Sequence, residues 1–162
     1  MTHNIIELDS KVENMGLKGV THYFQKVSSD KEKNEMILDI LEDIAKRESK
    51  IQVIIFFNEI KELERLYQIL INETDRFVVN DPEADSKGKN NLRVDYVHAR
   101  CGVCKGQHLC PYDCRSTKTD RVKRLRNGEI QVLLGTETIG RGIDIRTVSL
   151  VINYTESKRN KE

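Results

Sequence analysis

Three observations predict an α/β fold with a mostly parallel sheet sandwiched between helices. Short apolar strand-like runs alternate with helix-periodic stretches, which is the pattern of βαβ units. Residues 53–57 and 132–134 are apolar without interruption, as in strands covered on both faces. The most distinctive polar segment, Gly135 to Asp144, follows one of these runs directly. Ligands gather beyond the carboxyl ends of strands in such sheets.

The elements follow in order. Residues 20–27 are β-branched and aromatic and read as a strand. Ser28, Ser29 and Asp30 offer oxygens that cap a helix start. Met36, Ile37, Ile40, Leu41 and Ile44 then recur at helical spacing. After the 53–57 strand, Ile60, Leu63, Leu66, Tyr67 and Leu70 mark a second helix. Residues 72–91 carry no period and read as a disordered loop insertion. Residues 92–97 resume as a strand, and a cysteine-rich insertion occupies 99–115. Residues 116–126 form a short basic helix with Val122 and Leu125 expected inward. Residues 132–134 and 148–152 complete the set as two further buried strands.

With 162 residues the chain is long enough for one domain with a real core. Apolar residues make up 38% and charged residues 33%, so the surface is heavily solvated. No run of about 18 apolar residues occurs, so no membrane span is expected. The first residues lack the basic-then-apolar build of a signal peptide, which points to the nucleus or cytoplasm. Net charge is +1, yet it is segregated: residues 87–126 hold eleven basic and three acidic side chains, net +8, and the remainder is net −7. A basic block in an acidic domain is the footprint of a phosphate-backbone binder. A merely solvated face is the alternative.

Gly140-Arg141-Gly142 lets a backbone approach closely, because no Cβ intervenes at either glycine. Arg141 offers a two-pronged donor suited to phosphate. Asp144 supplies a carboxylate that accepts from a sugar hydroxyl. The segment therefore reads as a site for a nucleotide, for a nucleic-acid backbone, or for both. A turn-capping role for Asp144 and a strand-end hydrogen bond for Thr136 are the structural alternatives.

Cys101-x2-Cys104-x5-Cys110-x3-Cys114 places four cysteines in 14 residues. In a reducing compartment this spacing predicts a tetrahedral Zn²⁺ site, with His98 and His108 as alternate ligands. Disulfides and unligated thiols remain open.

The stretch from Thr136 to Ile145, followed by residues 148–154, closely resembles motif V of the DEAD-box RNA helicases. Residues 53–57 and the helix after them resemble motif IV, and residues 19–24 resemble the opening strand of that family's second RecA-like domain. Residues 96–98 and 125–128 resemble the flanks of its Gln-x-x-Arg motif. The match runs through 1–162 apart from the two insertions. Its flavour resembles the mRNA-export and splicing branch, with translation-initiation relatives nearly as close.

The resemblance implies a RecA-like three-layer sandwich, the second lobe of an ATP-dependent RNA helicase. RNA contacts would fall on Thr136, Glu137, Gly140, Arg141, Arg115, Lys118 and Asn58. Contacts to ATP would fall on Gly142 and Asp144. ATP and Mg²⁺ would be held only together with the N-terminal RecA-like domain. Single-stranded or duplex RNA, that domain and protein cofactors are the implied partners. Four positions depart from the family pattern: Glu59 replaces a Thr or Ser, Glu137 an Asp, and Arg115 with Lys118 the Gln and Arg. Motif VI would begin just after Glu162, and no Gly-x-x-x-x-Gly-Lys-Ser/Thr occurs, so this segment alone is expected to hold no catalytic residue and to be inactive. A non-catalytic RNA- or protein-binding module with a zinc-binding insertion is the alternative.

Overall fold

A computed structural model of the chain describes residues 6–7, 21–47, 51–72, 75–80, 90–97, 118–136, 139 and 145–155. The chain divides into two compact units, Met1–Ile37 and Leu38–Glu162.

In the first unit, β1 (Ile6–Glu7) pairs antiparallel with β2 (Tyr23–Phe24). The strand expected over 20–27 is therefore only two residues long among the described residues. Tyr23 and Phe24 are both largely exposed, so neither face of β2 gains the burial that extends a strand. The helix α1 (Asp30–Lys46) starts where expected. Ser29 Oγ accepts from the Glu32 amide at 3.2 Å, and Glu32 Oε2 accepts from the Ser28 amide at 2.7 Å. This reciprocal capping satisfies donors that the first helical turn leaves unpaired.

The second unit is built on a four-stranded parallel sheet, spatial order β6-β7-β3-β8. Here β3 is Gln52–Phe57, β6 is Val94–Val97, β7 is Val132–Thr136 and β8 is Val148–Asn153. The two uninterrupted apolar runs are the two central strands. By contrast β8 is half-buried, alternating along its length with Val151 exposed. Among the described residues it is the edge strand of the sheet, paired only with β3, and not the buried one its apolar residues predicted.

Helix α2 (Ile60–Asn72) buries Leu63, Leu66 and Leu70 along one stripe. Helix α3 (Lys118–Arg126) packs Leu125 with Ile54, Val97 and Leu133. Tyr96 has the opposite parity to Val97, and it meets Tyr67 of α2 at 5.0 Å between ring centroids. Strand residues of opposite parity point to opposite faces, so α2 and α3 cover the two sides of the sheet.

In α3 the buried partner of Leu125 is Arg121, while the expected Val122 is only half-buried. Arg121 Nε lies 3.1 Å from Asp95 Oδ1, and its guanidinium sits over the Tyr96 ring at 5.4 Å. Burial of that charge is possible because both a carboxylate and an aromatic face receive it. The helix ends in a Schellman turn: Gly128, at φ 77°, donates to Leu125 O at 3.0 Å and Glu129 donates to Arg124 O at 2.9 Å. The Gln52 amide adds donors to Leu125 O and, at 3.2 Å, to Ile130 O.

Residues 72–91 read as a disordered loop insertion; the described residues at its two ends include regular elements. Helix α2 runs to Asn72, and β4 (Val78–Val79) pairs in parallel with β5 (Asn91–Leu92). Asn80 tolerates φ 55°, and its side chain donates to Val94 O at 2.8 Å and accepts from Val94 N at 2.9 Å. That amide supplies what a strand partner would. Residues 81–89 lie outside the described residues.

Candidate nucleotide and nucleic-acid interface

The carboxyl edge of the sheet is assembled by register. Phe57 aligns with Thr136, Phe56 with Asn153 and Val97 with Gly135. Thr136 ends β7 and Asn58 follows the end of β3, so the two expected RNA contacts emerge from neighbouring strands at one level. Both are partly buried.

Strand β7 does not stop where the apolar run does. It continues through Gly135 and Thr136, and the chain then turns, with the Ile139 amide donating to Thr136 O at 2.8 Å. Ile139 is fully buried and folds back over Gly135. A Cβ at position 135 would overlap Ile139 Cδ1 and lie 2.8 Å from its Cγ1. The glycine is needed there for close packing. Ile145 packs on the same core cluster as Ile139. The two isoleucines on either side of Gly140 to Asp144 are thus both held by the core.

Beside this turn, the end of β8 is fastened to the exit of β3. The Tyr154 amide donates to Phe56 O at 2.9 Å, and the Tyr154 ring lies 4.8 Å from that of Phe57. Thr155 Oγ1 accepts a long hydrogen bond, 3.5 Å, from the Asn58 amide and donates to Glu62 Oε2 at 3.1 Å.

Lys118 is the first residue of α3 and is half-buried. The far end of α3 touches Gln52, at the opposite, amino end of β3. Lys118 therefore begins the helix on the carboxyl side of the sheet. Not all of the basic block is available to a ligand. Arg121 is buried on Asp95, and Arg124 pairs with Asp95 at 2.7 Å and Glu129 at 3.5 Å. Lys123 is exposed.

Of the residues expected at the site, Thr136, Asn58 and Lys118 are described. Glu137, Gly140, Arg141, Gly142, Asp144 and Arg115 lie outside the described residues. So do Cys101, Cys104, Cys110, Cys114, His98 and His108. Among the described residues, no group of three or more His, Cys, Asp and Glu side chains is arranged to hold a metal ion. No described helix is long and apolar enough to cross a membrane.

Comparison with known proteins settles the family. Residues 32–161 match the model of the helicase conserved C-terminal domain. The chain belongs to this family. Over 153 residues it is 27% identical to the "ATP-dependent RNA helicase eIF4A" of Kluyveromyces lactis, covering 94% of this chain and 30% of that protein. Over 159 residues it is 28% identical to the Saccharomyces cerevisiae protein of the same name, covering 98% and 32%. The chain thus spans about a third of the length of these relatives. Its fold is similar to that of S. cerevisiae Dbp5 bound to RNA and ADP BeF3, with a TM-score of 0.50 and 22% identity over 82% of this chain and 25% of the other. This helicase C-terminal domain has the RecA-like α/β fold of the DEAD-box proteins, with helices flanking a mostly parallel sheet.

Sequence reasoning missed several residues that shape the edge of this helicase domain. Gly135 and Ile139 stood inside the 135–144 segment without a role, and the signal for them was the glycine four positions before an isoleucine. Thr155 and Glu62 gave no signal, because their partners lie far along the chain. Asp95 was counted only as one acid in a basic block.

Proposed function

We propose that this domain is one lobe of an ATP-dependent RNA helicase and that the carboxyl edge of its sheet grips RNA through the sugar-phosphate backbone. The register of Phe57 with Thr136 is the observation that carries the reading. It brings Thr136 and Asn58 to one level at the ends of neighbouring strands, where the Thr136 hydroxyl and the Asn58 side-chain amide are donor types suited to phosphate oxygens. Lys118 adds a positive charge on the same side of the sheet. Arg141 and the amides of Gly140 and Gly142 extend the grip, and Arg115 lies upstream of Lys118 in sequence. Asp144 accepts from the ATP ribose, and Mg²⁺ with the triphosphate is completed by the N-terminal RecA-like lobe. Phosphate contacts fix position without reading bases.

Binding of labelled single-stranded RNAs of unrelated sequence, followed by fluorescence anisotropy across a salt series, tests this. Affinity should be nearly independent of sequence and fall steeply with salt. Lys118→Ala should weaken all the RNAs alike and reduce the log–log salt slope by about 1. Affinity indifferent to salt, or strongly selective for one sequence, would overturn the proposal.

A further inference from the structure

The hydroxyl of Thr155 touches two groups at once, the backbone amide of Asn58 and the carboxylate of Glu62. It comes from the end of β8, while both partners come from the exit of β3 and the first turn of α2. The bridge sits beside the Phe57–Tyr154 ring contact and the hydrogen bond from the Tyr154 amide to Phe56 O. The position of β8 relative to β3 is thus already fixed without it. The hydroxyl adds a contact that those do not make: it joins the Glu62 carboxylate to the backbone amide of Asn58.

A carboxylate free to swing toward the edge would repel phosphate. Tied to Thr155 Oγ1, it is directed at a donor instead. We infer that Thr155 is a positioning residue for the proposed RNA-binding edge, holding the Asn58 turn and engaging the Glu62 carboxylate with a hydrogen-bond donor. This rests on the reading of the edge as an RNA grip, but its first consequence is seen without RNA.

The test uses the 162-residue chain and three variants: Thr155→Val, Thr155→Ser and Thr155→Val combined with Glu62→Gln. Valine keeps the shape of threonine and removes the hydroxyl. By amide hydrogen exchange, Thr155→Val should expose the Asn58 amide, speeding its exchange about fivefold, as expected for the loss of one hydrogen bond. Exchange across β3 and β7 should stay unchanged, which separates positioning from unfolding. By anisotropy, Thr155→Val should bind single-stranded RNA about fivefold more weakly at low salt. Thr155→Ser should behave as the parent chain, and the double variant should recover most of the affinity because the stray charge is gone. Unchanged Asn58 exchange in Thr155→Val overturns the inference whether or not RNA binds. Normal exchange effects with no RNA binding by the parent chain would instead overturn the RNA reading of the edge. Failure of Glu62→Gln to restore binding in the double variant would overturn the charge role of Thr155.

Discussion

At the scale of single residues, position 135 shows how the turn after β7 is set by packing. Gly135 lies in β7, where glycine is ordinarily a weakness. Its value is that Ile139 folds back onto it. Replacing glycine by alanine usually stabilises slightly through the unfolded chain. Here the added methyl would overlap a fully buried side chain, and overpacking costs about 1–3 kcal/mol, so destabilisation wins. Gly135→Ala should lower the urea midpoint of unfolding. Trimming Ile139 to valine in the same chain should return part of the loss, because the overlapping Cδ1 is gone. Two additive losses would show that the two positions are not coupled.

At the scale of elements, α3 joins β6 through apolar packing of Leu125 on Val97 and through two arginines on Asp95, one buried and one exposed. The Arg121 and Asp95 side chains are only 7% and 15% exposed, whereas Arg124 on the same carboxylate is 47% exposed. Removing one member of a buried pair strands the other, at about 3–5 kcal/mol, while an exposed ion pair contributes about 0–1 kcal/mol. Asp95→Ala should therefore be far more destabilising than Arg124→Ala. Arg121→Met should cost less than Asp95→Ala, since Asp95 keeps Arg124 as a partner and the methionine fills the apolar site. Denaturant unfolding of the three variants gives the order. Equal losses for Asp95→Ala and Arg124→Ala would contradict it.

The same elements show what the sequence made legible. Helix α1, helix α2 and the two central strands follow from local period and apolar continuity, because the burial that selects them is written in neighbouring residues. The edge character of β8 is not written there: Val148 to Ile152 is apolar enough for either place in a sheet, and only strand order decides. The β4–β5 pair escaped because two-residue strands carry no period, and Asn80 replaces a strand partner with a side chain. Arg121 escaped because its apolar-like burial depends on Asp95 and Tyr96, more than twenty positions away. At the site, the motif located the turn after β7 and the edge where Thr136 and Asn58 emerge. The Thr155 bridge joins residues 97 and 93 positions apart and leaves no local trace. For the cysteine cluster, spacing alone speaks.

At the scale of the whole molecule, the proposed function makes this domain one surface of a two-surface reaction. Phosphoryl transfer needs a phosphate cradle, ligands for Mg²⁺ and positive charge placed on the transition state. The 162 residues include no Gly-x-x-x-x-Gly-Lys-Ser/Thr cradle. What they do include is an edge of hydroxyl, amide and basic groups, the surface proposed to grip a backbone. A preparation of these residues should bind RNA and yet release phosphate from ATP no faster than buffer, with or without RNA, in a continuous phosphate-release assay. Steady turnover proportional to protein concentration, and lost on Asp144→Ala, would show that one lobe is sufficient and that the edge performs chemistry as well as grip.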